Sequence, residues 1–405
     1  MKRDYIFTSE SATAGHPDKL CDQISDAVVD RFLEQDPCAV IRAECAIASG
    51  VLFLASRFAS KAVVDITQVA RKVIRKIGYE DEDFNSQTCS ILTSIKELPA
   101  YESVRFEAST LTDEQIEAIQ VKQQGTFFGY ACNQTVGLMP LPIWMAHKLA
   151  MRIDAMRQQK TLPYLAPDGK TQVSIEYADL KPTRVHSVSV CTTLIQKERS
   201  VRDPLKLKED IRESVIIPAF RDEVVQVDDK TKFFLNPEGV LMIGGPSVHS
   251  GLTGRKMAVD TYGEYSRYSG SALSGKDPMR IDRVGNYAAR YAAKNVVAAG
   301  LADQCEVQLS YSIGLSRPVS IQVDTFDTGR IPDSEIVALI KKHFDFRLAG
   351  IIKHFDLRNL PSKTKGGFYR KLAVYGQVGR TDIQLPWEMT DKVAVLREGY
   401  GRVQV

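Results

Sequence analysis

The chain has no C-x-x-C pair, and its seven cysteines, at positions 21, 38, 45, 89, 132, 191 and 305, are scattered singly. That pattern argues against a disulfide framework and against a zinc site, and it leaves them as small core residues of a reducing compartment. An unbroken apolar run of about 18 residues, the length of a membrane span, is also missing. The opening MKRDYIFTSESATAGHPDK has no apolar stretch of the kind a secretory leader needs. These absences predict a cytoplasmic protein without membrane contact. A charge surplus is lacking too: 53 Lys and Arg against 50 Asp and Glu leave a net charge of +3. Any anion site must therefore be a local concentration of charge, and nucleic-acid binding gets no support. What remains, 405 residues of which 44% are hydrophobic and 25% charged, is an ordinary globular composition with room for two or three domains.

One stretch stands out. Residues 244–283, GGPSVHSGLTGRKMAVDTYGEYSRYSGSALSGKDPMRIDR, hold six cationic side chains and seven glycines. A polyphosphate calls for that combination, because its charge needs several Lys and Arg and its oxygens need close backbone N–H groups. Arg255, Lys256, Lys276 and Arg280 are the candidates, and Asp260, Asp277 and Asp282 could hold a bridging divalent cation. Gly270 to Lys276 spells G-x-x-x-x-G-K, but Asp277 stands where a Walker A loop has Ser or Thr. No strand feeds into these glycines, so a P-loop NTPase is not expected.

Along the chain, residues 8–15 form a small-residue loop before His16-Pro17-Asp18-Lys19. Pro17 suits a first helical turn, and Leu20, Ile24, Val28 and Phe32 follow at four-residue spacing as a buried face. His16 and Asp18 thus sit at a helix N-terminus, where Asp18 complements the dipole or, with His16, holds a phosphate oxygen and its metal. Two β-rich runs, 39–48 and 51–59, are joined by Ser49-Gly50, and a helix spans 63–77. Glu44 lies inside the first run, either facing solvent or bound to a cation. The order recurs: a helix over 141–157 precedes runs at 172–177 and 184–193, and a helix over 287–299 precedes runs at 305–311 and 318–326. Three such units predict a triplicated α+β fold whose sheets are covered on one face by helices, divided as 1–102, 117–240 and 241–405. Residues 99–124 read as a mobile linker or lid. Pro167-Asp168-Gly169 reads as a turn presenting Asp168 and Lys170. Trp387 is expected to dock the C-terminal segment. His147, His186, His343 and His354 lack metal-ligand partners at useful spacing and read as structural, and no Ser/His/Asp arrangement can be argued.

With these residues in view, the chain resembles the S-adenosylmethionine synthetase (methionine adenosyltransferase) family over nearly its whole length. The resemblance is carried by Gly15-His-Pro-Asp-Lys19, Gln23-Ile-Ser-Asp-Ala27, Phe128-Gly-Tyr-Ala131, Lys232-Phe-Phe234, Gly244-Gly-Pro246, Gly251-Leu-Thr-Gly-Arg-Lys256, Val259-Asp-Thr-Tyr-Gly263, Ser274-Gly-Lys-Asp-Pro278, Ala288-Ala-Arg290 and Pro386-Trp-Glu388. It implies three pseudo-threefold-related domains in a homodimer or dimer of dimers with shared active sites. The implied reaction is attack of methionine sulfur on C5′ of ATP, then hydrolysis of the triphosphate, assisted by two Mg²⁺ and one K⁺. On this resemblance His16 meets the leaving oxygen, while Lys170, Arg255, Lys256, Lys276 and Arg280 clamp the triphosphate. Asp168 binds the ribose, Asp18 and Asp282 each hold Mg²⁺, and Glu44 holds K⁺.

The departures from the family pattern are concentrated. A Gly-Glu pair whose Glu receives the methionine ammonium is Ser56-Arg57 here, and a Gly-Lys-Gln whose Gln holds the amino acid is Lys96-Glu97-Leu98. An Asp-Gln-Gly is Gln123-Gln124-Gly125, and the Asp of Gly-Pro-x-Gly-Asp is His249. The adenine-stacking aromatic aligns with Leu241 or Met242, and a Gly-Gly-Gly is Ser269-Gly270-Ser271. Phosphate and metal positions are kept while acceptor and base positions change, so Arg57, Leu98, Gln123 and His249 mark an altered acceptor pocket. The alternatives to methionine adenosyl transfer are a paralogue with another nucleophile, water or another base, and a non-catalytic regulatory subunit.

Overall fold

The computed structural model describes residues 4–80, 84–99, 105–195, 203–237, 239 and 244–403. Within them run the strands β1 (Tyr5–Ala12), β2 (Val40–Ala48), β3 (Val51–Ala59), β4 (Ser90–Glu97), β5 (Gly125–Cys132), β6 (Leu165–Ala178), β7 (Lys181–Leu194), β8 (Lys232–Leu235), β9 (Gly251–Leu252), β10 (Gln304–Tyr311) and β11 (Ser320–Asp324). They form three sheets, ordered β4-β3-β2-β9, β1-β6-β7-β8 and β11-β10-β5. Each is built on an antiparallel hairpin, β2–β3, β6–β7 or β10–β11. The first turns at Ser49-Gly50 with both residues at positive φ, 47° and 75°, as a two-residue hairpin loop requires. In the first two sheets a further strand, β4 or β8, adds parallel after intervening helical chain.

The flanking antiparallel strand of every sheet comes from elsewhere in the sequence. β1 joins β6, β5 joins β10, and β9 joins β2. Each of these strands precedes the long helix of its own third, Pro17–Gln35, Leu141–Gln158 or Ile281–Ala298, yet pairs in the next third's sheet. The thirds are linked cyclically, so the α+β fold is triplicated as expected, while each sheet draws strands from two of the expected segments.

Leu20, Ile24, Val28 and Phe32 are buried as the spacing predicts. The other side of that helix is buried as well, and it carries Asp18, Asp22, Asp26 and Asp30, also at four-residue spacing. Buried carboxylates need donors, and these find them on loops of the last third. The N–H groups of Leu252, Gly254 and Gly275 donate to Asp18, Asp22 and Asp26 at 3.0, 2.7 and 2.8 Å, and those of Tyr369 and Arg370 donate to Asp30. The helix is thereby a rail on which the glycine-rich loops are pinned.

Trp387 is fully buried, stacked on Tyr287 at 3.7 Å with its indole N–H donating to the Gln377 carbonyl, so the C-terminal segment docks as expected. Two local expectations need correction. Pro167-Asp168-Gly169 is no turn but lies inside β6, where the register with β7 slips between Leu165 and Gly169. The connector's described part is no loose lid: helix Asp113–Ala118 carries a capping box and is tied by Asp113 to Arg347 and by Glu117 to Arg317. Residues 100–104 of that connector lie outside the described residues. Among the described residues no helix is long and apolar enough to cross a membrane.

Candidate active site

The first cluster forms where the 13–19 loop meets β6. A Cβ on Gly15 would come within 2.3 Å of Pro167, so only glycine lets the loop lie this close. His16 then caps the Pro17–Gln35 helix: its Nδ1 accepts the Asp18 N–H at 3.2 Å. Since Nδ1 is an acceptor, a neutral ring carries its proton on Nε2, which remains a donor. Burial pushes His16 down to about 3, and the ammoniums of Lys256, Lys170 and Lys19 push the same way, against the pull of Asp18. At neutral pH the ring is therefore an uncharged donor.

Asp18 gathers charge around this ring. Its carboxylate lies 3.2 Å from Lys256 Nζ and 3.8 Å from Arg255 Nε, and Arg255 is half-exposed, with Nη1 donating to the Ser250 hydroxyl at 3.4 Å. Asp168 is buried, its Oδ2 accepting the Gly245 N–H at 2.8 Å, and burial raises its carboxyl above the ordinary range. Lys170 is exposed opposite Ala12 and acts electrostatically on both His16 and Asp168, while the exposed His249 also faces Asp168. Gly245, at φ 75°, is a position where a side chain would be strained and would strike Tyr79, whose hydroxyl donates to the Gly15 carbonyl.

The second cluster lies on the 274–282 loop. Gly275 accepts from the Ala43 N–H and donates to Asp26, which stitches the loop to β2 and sets Arg42 opposite Lys276. Lys276 Nζ donates to Asp282 Oδ2 at 2.8 Å, both buried. Burial lowers the Lys276 ammonium from its ordinary value, opposed by Asp282. These two face a cavity of about 300 Å³ lined also by Arg42, Glu44, Gln123 and Thr253, and the buried Gln123 Oε1 has no partner among the described residues. Glu44 is 60% exposed and paired to Arg42 Nε at 2.9 Å.

The predicted residues thus fall into two groups within one chain, and no hydrogen bond or ion pair joins the groups among the described residues. Other expectations move. Asp260 is paired with the buried Lys19 at 2.5 Å, and Asp277 accepts the Ile41 and Met279 N–H groups, so both are structural. Arg280 occupies the N-cap position of helix Ile281–Ala298 beside Asp277 without a side-chain capping bond, and its buried Nε has no partner among the described residues. Leu98 continues from β4 with its N–H on the Phe58 carbonyl, and Leu241 and Met242 lie outside the described residues. Sequence reasoning missed Asp22 and Asp26, although their spacing from Asp18 was the available signal. Among the described residues no group of three or more His, Cys, Asp and Glu is arranged to hold a metal by itself.

Comparison with known proteins agrees with this geometry. The chain matches the N-terminal, central and C-terminal domain models of S-adenosylmethionine synthetase over residues 4–100, 118–241 and 243–389. It is 45% identical to the S-adenosylmethionine synthase of Synechococcus elongatus over 98% of both chains, and 45% identical to that of Gloeothece citriformis over 99% of both. That of a Picosynechococcus species is 46% identical over 98% of both. On the fold, the two clusters and these full-length matches, the chain belongs to the S-adenosylmethionine synthetase family.

Proposed function

We propose that the protein is an ATP-dependent methionine adenosyltransferase, converting ATP, L-methionine and water to S-adenosylmethionine, phosphate and diphosphate, with segments 1–102, 117–240 and 241–405 as its domains. The observation that carries this reading is His16, held as a neutral Nε2–H donor beside cations gathered on Asp18. Sulfur attack at C5′ forms the S–C5′ bond and sends the C5′–O electron pair onto the triphosphate. His16 donates to that bridging oxygen, and Lys170, Arg255 and Lys256 take up the charge that grows on the phosphates. Asp168 accepts from the ribose hydroxyls. Lys276 grips the far phosphates with Asp282 beside it.

Among the described residues no hydrogen bond or ion pair joins the two clusters within one chain, which fits a homodimer or dimer of dimers in which the first cluster of one protomer faces the second of its partner. Asp18 and Asp282 fit Mg²⁺: each offers carboxylate oxygens with cations beside it, and Mg²⁺ usually takes one or two carboxylates and completes its shell with phosphate and water. Bound there, two Mg²⁺ would neutralise triphosphate oxygens. Glu44 does not fit K⁺ equally well, because the Arg42 guanidinium already supplies its counter-charge.

The test is release of phosphate and diphosphate from ATP with methionine, with the nucleoside product weighed by mass spectrometry. An adenosylsulfonium mass supports the reading. A free nucleoside would favour water as nucleophile, and no turnover of ATP or tripolyphosphate would sink the assignment as an enzyme.

A further inference from the structure

The open face of the first sheet carries cations in one cross-strand row. Arg42 on β2 lies opposite Arg57 on β3, and Arg57 opposite Lys96 on β4. Neighbouring strands are about 4.8 Å apart, so the three heads share one patch, and like charges placed opposite each other destabilise a sheet. Arg42 is offset by Glu44. Among the described residues Arg57 and Lys96, both exposed, have no ion-pair partner. A row of this kind favours an anion placed against it.

The row borders a cavity of about 360 Å³ completed by Glu44, Ala55, Ser56 and Ser94. Ser94 lies opposite Ala55 on the same face as the cations, whereas Ser56, 2% exposed, turns its side chain to the other, buried face of the sheet. Arg42 and Glu44 also line the cavity of Lys276 and Asp282, which makes the row the immediate neighbour of the second phosphate-gripping cluster. Its only carboxylate, Glu44, is already paired, so an ammonium entering the cavity meets cations and no free counter-charge.

Resting on the reading of the second cluster as a triphosphate site, we propose that the Arg42–Arg57–Lys96 row binds the acidic end of the acceptor. The acceptor class is a thioether acid recognised through its carboxylate, with no ammonium contact. The carboxylate is a spectator: the sulfur lone pair forms the bond to C5′, and the C5′–O pair departs with the triphosphate.

The experiment is calorimetric titration of the full-length protein, without nucleotide, with three probes: L-methionine, its deaminated analogue methylsulfanylbutanoate, and methioninol, which keeps the amine and lacks the carboxylate. Methylsulfanylbutanoate is expected to bind at least as tightly as methionine, and methioninol at least about tenfold more weakly. Arg57→Glu, a change at an exposed position, is expected to weaken the acid by more than about tenfold and to leave tripolyphosphate binding unchanged. Three results would overturn the proposal: methionine binding about tenfold tighter than its deaminated analogue, Arg57→Glu weakening tripolyphosphate instead, or Arg57→Glu changing only the oligomeric state, which would assign the row to acidic groups of a second copy. ATP turnover, measured separately, tests the enzyme reading, so loss of turnover with intact acid binding would fault that reading and not this one.

Discussion

The cluster around His16 and the open face of the first sheet handle charge in opposite ways. Around His16 most cations are already paired, Lys256 and Arg255 with Asp18 and Lys19 with Asp22 and Asp260, with the exposed Lys170 the exception, and the ring is kept neutral by burial. On the first sheet's open face Arg57 and Lys96 stand without counter-ions among the described residues. The first arrangement is preorganised: its charges are held in place before a ligand arrives and need little reorganisation when charge develops. The second leaves its positive charge uncompensated, and on the proposed reading an anionic group of the acceptor compensates it. On the proposed reading one region serves the chemistry and the other the choice of acceptor.

The sharpest way to break this contrast is to remove a charge from each phosphate-gripping pair. Asp18→Ala and Lys276→Ala are each expected to lower phosphate release from ATP by about 10³-fold, the scale of losing a preorganised electrostatic group. If either variant kept wild-type turnover, its cluster would not be part of the reacting site. His16→Ala should cost about 10²-fold. Because the His16 ring is held down to about 3, the wild-type rate between pH 5 and 8 should show no ionisation near the ordinary histidine value of about 6.5. A step there that disappears in His16→Asn would mean that the ring is charged in the working enzyme.

His147 offers a control with the same displaced ionisation away from the clusters. It is buried in the Leu141–Gln158 helix, its Nδ1 at 2.8 Å from the Ser11 hydroxyl, and burial pushes it down to about 3. Its folded value lies below the unfolded one of 6.5, so between those values the unfolded chain binds a proton that the fold refuses. Stability from this group is present above pH 6.5 and is lost as pH falls, by about 2 kcal/mol at pH 5. Asp30, raised by burial to about 7 from 3.8, acts with the opposite sign and loses stability as pH rises through that window. The His147 share is therefore read as a difference: from pH 7 to 5 the wild type should lose about 2 kcal/mol more than His147→Gln in urea unfolding. Equal losses would mean that the imidazole titrates normally.

How much of this was legible in the sequence depended on the range over which each signal acts. The face of Leu20, Ile24, Val28 and Phe32 and the Ser49-Gly50 hairpin are local patterns, and both were readable. The donated strands β1, β5 and β9 were not, because a strand of two to eight residues declares itself only through a partner far along the chain. Asp168 looked like a turn residue because Pro-Asp-Gly usually is one; pairing with β7 overrode that local preference. Lys256 and Lys276 are near in sequence, which suggested one cluster. The N–H bonds from Gly254 to Asp22 and from Gly275 to Asp26 pin their two loops to successive turns of one helix, while each lysine pairs with a different carboxylate, Lys256 with Asp18 and Lys276 with Asp282. Asp18 is legible as a site residue, yet its ladder of sister aspartates is hidden by the apolar stripe, which by itself accounts for a buried helix face.

The smallest effect expected of the comparison concerns Glu44, which sits on the boundary between the two regions. Its carboxylate is exposed and held by Arg42 Nε at 2.9 Å, so the guanidinium occupies the electrostatic role that a monovalent cation would otherwise fill. With Arg42 present, replacing Na⁺ by K⁺ at constant ionic strength should leave turnover nearly unchanged. Arg42→Ala frees the carboxylate, and K⁺ should then accelerate turnover roughly fivefold over Na⁺, the scale of one exposed charge contact. Equal stimulation in the wild type and the variant would show that Glu44 binds the ion despite its arginine. The contrast between a cluster of satisfied charges and a row of unsatisfied ones would then have to be redrawn, with Arg42 moved into the unsatisfied row.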